Sequence, residues 1–215
     1  MTTATLGDER SPEPGPTKRD FIHILATAMT VGGVAAVAWP FIDQMNPAGD
    51  TLAAASPITI DLSKVPLGQQ IVVLWHSYPI FIVHRTPANL EEIKKPSTLN
   101  MLRDPNSDNQ QQPPYAKNWS RSIKPEYLVL IGICTHLGCI PGYRPGLGSV
   151  DPTWPGGWLC PCHGSKYDLA GRVFKSVPAP MNLPVPPYHF PNDTSVVIGR
   201  NPPGETFTVS QVATL

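Results

Sequence analysis

All four cysteines of the chain lie in two short stretches, CTHLGC from Cys134 and CPCHGS from Cys160, and each stretch carries one of the six histidines. Nothing else in the sequence limits the fold as much. Four sulfurs and two imidazoles gathered this way call for a metal group, cross-links, or both. A structural zinc site takes four ligands, commonly from paired C-x-x-C-like knuckles; here it would leave two cysteines without a role. Two disulfides would leave both histidines without one. A [2Fe–2S] cluster held by two cysteines on one iron and two histidines on the other takes four residues. The other two cysteines can then form one disulfide, and every member of the set is employed. Thiolates are soft, charged ligands suited to iron–sulfur groups. Replacing two of them with neutral imidazoles removes negative charge from one iron and raises the reduction potential. Imidazole also keeps a second nitrogen that can exchange a proton, so electron and proton transfer can be linked.

The rest of the chain must carry this pair of stretches. Its 27 prolines oppose a helical bundle, since each removes a backbone donor and fixes φ. Short β-branched runs dominate after residue 45, so the head reads as all-β. A formal net charge of zero, with no basic run, excludes a nucleic-acid footprint.

From Phe21 to Ile42 there is no charged side chain. As a helix this stretch would be about 33 Å long, enough to cross a bilayer. Trp39 suits a membrane interface and Gly32–Gly33 suits close helix packing. Lys18 and Arg19 precede the segment and no Lys or Arg follows until Lys64. The positive-inside rule then puts the N-terminus in the cytoplasm and the head outside it. A cleaved signal peptide is the competing reading, with Ala36–Ala38 as its cleavage motif; the length of the apolar run favours an uncleaved anchor. KRDF at Lys18–Phe21 is similar to a twin-arginine export signal, which carries folded proteins.

Four segments follow from these boundaries: residues 1–20 cytoplasmic, 21–42 a transmembrane anchor, 43–57 a flexible neck, and 58–215 the head, with a cluster-binding subdomain at about 131–182. In the head, QQIVVLWHSYPIFIVHRT reads as two strands around a turn at Ser77–Tyr78. TPANLEEIKK reads as a helix capped by Thr86, with Lys94 and Lys95 in its last turn. Residues 96–118 read as a polar surface loop, and EYLVLIGI as a buried strand leading into Cys134. TSVVIGR closes the fold. His23 reads as part of the membrane helix, and His76, His84 and His189 as surface or packing residues.

The two motifs, with SKYD after the second, make the chain resemble the Rieske iron–sulfur subunits of the bacterial respiratory cytochrome bc complex (ubiquinol–cytochrome c reductase, complex III). The resemblance implies an all-β Rieske-type head of antiparallel sheets with a small cluster-binding subdomain, on an N-terminal transmembrane helix. It implies that Cys134 and Cys160 bind the inner iron of one [2Fe–2S] cluster, and His136 and His163 the outer iron. It implies a Cys139–Cys162 disulfide between the cluster loops. Ser165 and Tyr167 would donate hydrogen bonds toward sulfur, which stabilises the reduced cluster and raises its potential. VPAP at Val177–Pro180 resembles the family's proline loop. The family has glycine where Val177 stands, so the resemblance does not carry the shape of this loop over. Residues 140–159 run longer than in short members and should form an exposed excursion.

The resemblance also implies an activity. The head would take one electron and one proton from ubiquinol at the outer quinol site of a cytochrome b subunit, with His163 accepting the quinol hydrogen bond and His136 beside it. It would then move on the neck and pass the electron to a c-type cytochrome. Leu137, Pro178 and Ala179 would form an apolar rim docking on cytochrome b. The setting would be a dimeric, proton-translocating oxidoreductase in the bacterial inner membrane, crossed once by this chain, with the head in the periplasm. The alternative is the Rieske carrier subunit of a periplasmic molybdenum oxidase. A Rieske ferredoxin is disfavoured, because that class lacks the extra cysteine pair and the anchor. A zinc-binding module would give no visible or EPR spectrum.

Overall fold

The computed structural model describes residues 15, 17–46, 48–49 and 56–213. The chain divides into two units, Met1–Gly49 and Asp50–Leu215. Residues 47 and 50–55 of the expected neck, residues 1–14 and 16 of the expected cytoplasmic segment, and residues 214–215 lie outside the described residues.

The first unit carries helix α1, Lys18–Asp43. Thr17 caps it reciprocally: its Oγ1 accepts from the Asp20 N–H at 3.3 Å, and Asp20 Oδ2 accepts from the Thr17 N–H at 2.8 Å. The helix therefore starts three residues before the apolar run. Thr27 and Thr30 return their hydroxyls to the carbonyls of His23 and Ala26, both at 2.8 Å, which hides these polar groups along an otherwise apolar cylinder. Among the described residues this is the one helix long and apolar enough to cross a membrane.

The second unit is built from three antiparallel three-stranded sheets. In the first, β9 (Ser195–Ile198) lies between β1 (Ile58–Asp61) and β8 (Tyr188–His189). In the second, β3 (Tyr78–His84) lies between β2 (Gln70–Trp75) and β4 (Tyr127–Ile131), with Ile82 opposite Val129. Ile80–Val83 and Leu128–Ile131 are buried on both faces, so they read as unbroken apolar runs. The turn between β2 and β3 is His76–Ser77, one residue earlier than expected. Both residues have left-handed φ, 51° and 64°, as a two-residue hairpin loop requires.

The third sheet carries the two motifs. It orders β5 (Gly142–Arg144), β6 (Gly157–Leu159) and β7 (Lys166–Asp168). Trp158 on β6 stacks on Phe81 of β3 with centroids 6.1 Å apart, and its indole N–H donates to Gln70 Oε1 at 2.7 Å. The small sheet is thereby locked to the second one.

Two segments expected at the surface are buried in part. Residues 140–159 hold the β5–β6 hairpin, which is exposed or half-buried from Gly142 to Thr153 as expected and turns inward after that. Trp154 is buried, stacks on Phe174 and donates to the Arg144 carbonyl at 2.9 Å. Residues 96–118 are mixed: about half of them face solvent as expected, and the rest turn inward. After α2 (Pro87–Glu92, capped by Thr86 as expected), α3 (Pro96–Met101) leads to a segment that buries Asp104, Ser107, Gln111 and Gln112. Their polar groups are satisfied: Gln111 Nε2 donates to the Asn182 carbonyl at 3.0 Å, and Gln112 Nε2 to the Ser107 carbonyl at 2.9 Å. Lys94 and Lys95 lie past the end of α2 and pair with Glu91 and Glu92.

Candidate metal centre

Strand β4 delivers the chain to Cys134, and β6 delivers it to Cys160. Each cysteine opens a tight loop with the same two backbone bonds. Cys134 N–H donates to the Cys139 carbonyl at 2.8 Å and Gly138 N–H to the Cys134 carbonyl at 3.0 Å. Cys160 N–H donates to the Ser165 carbonyl and Gly164 N–H to the Cys160 carbonyl at the same lengths. Gly138 and Gly164 have φ of +80° and +72°, a conformation that favours glycine in each loop.

The loops meet. A disulfide joins Cys139 to Cys162, the pairing that the resemblance implies. Cys134 and Cys160 are buried free thiols. The imidazoles of His136 and His163 stand edge to face with centroids 4.7 Å apart. His136 is half-buried, while His163 and Leu137 are exposed. The sulfurs of Cys139, Cys160 and Cys162 also lie within 4.8 Å of one another. Two of these are bonded to each other, so that trio offers a metal only one thiol, and the usable donors are the two free thiols and the two imidazoles.

Polar groups surround the sulfurs. Tyr167 Oη donates to Cys134 Sγ at 3.2 Å and accepts from the Thr135 N–H at 3.2 Å. Burial pushes the Tyr167 phenol far up, and its bond to Cys134 pushes the same way, so it stays protonated and remains a donor. Ser165 Oγ accepts from the Ala179 N–H at 3.1 Å, which leaves its own hydrogen to give. Burial also raises the Cys160 thiol, helped by neighbouring Cys134. A Cys160 thiol that resists ionisation suits a strongly cationic metal group, which supplies the charge its thiolate form needs. The donor set thus fits a group with mixed sulfur and nitrogen ligation.

The proline loop closes the third side and is held at alternate residues. Arg103 Nη2 donates to the Val177 carbonyl at 3.1 Å, Ser165 receives the Ala179 N–H, and Thr135 Oγ1 donates to the Met181 carbonyl at 2.8 Å. Val177 does not take a left-handed φ; the preceding Ser176 does, at 57°. The valine instead packs beside Leu102, Trp154 and Phe174. One rim residue is corrected. Leu137 is 70 % exposed and Pro178 is exposed, but Ala179 is fully buried, because its N–H turns inward to Ser165.

Comparison with known proteins decides between the remaining assignments. Residues 115–187 match the Rieske [2Fe-2S] domain family, and residues 9–48 match the family described as Ubiquitinol-cytochrome C reductase Fe-S subunit TAT signal. The ubiquinol–cytochrome c reductase iron–sulfur subunit of Allochromatium vinosum is 48% identical over 83% of this chain and 88% of its own length. The chain belongs to this family of iron–sulfur subunits. Its counterpart in Bradyrhizobium diazoefficiens is 45% identical over 93% of this chain and 100% of its own. That of Blastochloris viridis is 48% identical over 85% and 93%. The cofactor of the family member described here is accordingly one Rieske-type [2Fe–2S] cluster. The twin-arginine-like KRDF falls inside the matched signal, and α1 fits a membrane-anchored subunit.

Thr135 and Arg103 are site residues that sequence reasoning missed. Thr135 sits between a ligand candidate and its partner in CTHLGC, which gave a local signal. Arg103 lies far away in sequence and gave none.

Proposed function

We propose that this subunit takes one electron and one proton from ubiquinol at the outer quinol site of a cytochrome b subunit and delivers the electron to a c-type cytochrome. The observation that carries the reading is the polarity of the centre. Its free sulfurs are buried, while its imidazoles lie toward an edge lined by exposed Leu137 and Pro178.

Cys134 and Cys160 would hold the inner iron, and His136 and His163 the outer one. When bound, the cluster supplies a one-electron acceptor of raised potential. The protein's own residues do the rest. His163, the more exposed imidazole, accepts the quinol hydrogen bond and then its proton, with His136 as the second proton-exchanging ring. Leu137 and Pro178 form the apolar rim that excludes water at the quinol; Ala179 supports it from beneath. Tyr167 and Ser165 give hydrogen bonds toward sulfur that favour the reduced state. The Cys139–Cys162 bridge keeps the two histidine loops together and requires an oxidising compartment.

That compartment agrees with an N-terminus in the cytoplasm, a single membrane crossing at residues 21–42 and a periplasmic head from residue 58. Residues 43–57 are proposed as the tether, and residues 131–182 as the cluster-binding subdomain. Quinol oxidation at the outer face releases its protons there, which is this chain's share of proton translocation by a dimeric complex of the bacterial inner membrane.

The test is purification of the full chain from its own membranes. Co-purification with b- and c-type haems, and ubiquinol-dependent reduction of the c-type haem, are expected. A chain that purifies with a Rieske EPR signal but without b-type haem overturns this reading and favours a carrier subunit.

A further inference from the structure

Among the described residues, five charged side chains are at most 6 % exposed: Arg85, Arg121, Arg172, Asp104 and Asp168. Three cations face two anions. Arg172 pairs with Asp168 at 2.6 Å. Asp104 accepts from the backbone N–H groups of Asp108 and Asn109, at 2.8 and 3.1 Å, and from Asn182 Nδ2 at 3.4 Å.

Arg85 and Arg121 bind only neutral groups. Arg85 donates to the carbonyls of Ser120, Pro125 and Leu169 and to Ser122 Oγ. Arg121 donates to the carbonyls of Ala170, Gly171 and Leu183 and to Gln112 Oε1, at 2.8–3.2 Å. Its Nε has no partner, and its backbone takes a left-handed φ of 50°. A buried ion that makes no direct ion pair and a strained backbone both cost stability, and space-filling does not require either. Burial lowers Arg85 to about 10 and Arg121 to about 9, so both remain cations at neutral pH.

Their placement gives the charge a use. Arg85 and Arg121 hold the carbonyls of Leu169, Ala170 and Gly171, the turn directly after β7. Strand β7 carries Tyr167, which contacts Cys134 Sγ. We propose that Arg121, with Arg85, sets the reduction potential of the centre: the excess positive charge of this buried group behind β7 favours the more negative, reduced state through the protein interior. Inside a protein such a field is weakly screened by salt, so contact with the cluster is not needed. The arginines are positioning residues, acting by charge on a centre they do not touch. The inference rests on the ligand assignment proposed above.

The test is a redox titration of the intact membrane complex followed by EPR. Arg121→Gln should lower the midpoint potential with an unchanged spectrum, and Arg121→Lys should restore it toward the parent value. Asp104→Asn, which removes a buried negative charge, should raise it. In a Tyr167→Phe background the Arg121→Gln shift should persist in full, because a field effect and a hydrogen bond add independently. Unmoved potentials, shifts of one sign in both charge variants, or a shift abolished by Tyr167→Phe would each overturn the proposal. If Arg121→Gln does not accumulate, the sign of the Asp104→Asn shift decides alone. Loss of the parent's own EPR signal would instead strike at the ligand assignment.

Discussion

The loops from Cys134 and Cys160 can be laid over one another position by position. Their first residues are both buried cysteines, and their fifth residues are both left-handed glycines. Between these points the side chains diverge. His136 corresponds to Cys162, Leu137 to His163, and Cys139 to Ser165. One backbone clasp therefore places two thiols alike but its imidazoles differently, at the third position in one loop and the fourth in the other. The disulfide joins the sixth position of one loop to the third of the other. Equivalence lies in the backbone and in sulfur. The asymmetry, with His163 exposed and His136 half-buried, is written in single side chains.

The strongest way to break the comparison is at the shared first position. Cys134→Ser and Cys160→Ser should each abolish the EPR signal of the cluster, and to the same extent. A normal signal in one of them would show that the loops are not equivalent at sulfur.

Next comes the bridge. It closes a loop with a sequence separation of 23, which the chain-entropy account values at about 3 kcal/mol. Cys139→Ala should lower the Tm of the head by about 10 °C, at ~3 °C per kcal/mol for this size. Cys162→Ala should match it, because the partner's loss is the same loss. Unequal melting shifts would mean that one cysteine does more than bridge.

The hydroxyls test the divergence directly. Tyr167 crosses from β7 to the sulfur of the first loop, whereas Ser165 ends the second. Each donor, at about 1–2 kcal/mol, corresponds to roughly 40–90 mV in a one-electron couple. Tyr167→Phe and Ser165→Ala should each lower the midpoint potential by that order, measured by redox titration. An unchanged potential in either would remove that hydroxyl from the set reaching sulfur.

These features were legible to different degrees, for physical reasons. The six motif residues stood out because each has a distinctive chemistry at fixed spacing, and the central strands because burial on both faces leaves an apolar run. The buried part of residues 96–118 was missed because burial there is bought with hydrogen bonds: Gln111, Gln112 and Asp104 look like solvent-facing residues until their carbonyl and amide partners are known. Arg85 and Arg121 hid for the same reason. Ala179 was misplaced because an alanine's side cannot be read from sequence; an inward N–H to Ser165 decides it. Val177 raised a concern about the wrong residue, since the left-handed angle falls on Ser176.

The smallest expected effect belongs to the second loop alone. Lys166, just after it on β7, meets Asp151 at 2.5 Å and ties the β5–β6 excursion to the cluster sheet. The first loop has no ion pair among the described residues; its ties are the hydrogen bonds of Thr135 to Tyr167 and Met181. Bonds from Lys166 and then Thr153 hold the Asp151 carboxyl down from 3.8 to about 2. Because the folded pKa is depressed, the contribution is present in full above about 3.8 and is lost as pH falls toward 2. The pair is about a third exposed, so solvent screening limits it to roughly 0.5 kcal/mol. Amide-exchange protection near Asp151–Trp154 should therefore weaken slightly as the pH drops through that window, and Asp151→Asn should remove the pH dependence. Protection in the Cys134 loop should not follow it. If both loops lost protection together, the excursion would be braced by the fold as a whole, and this difference between the loops would disappear.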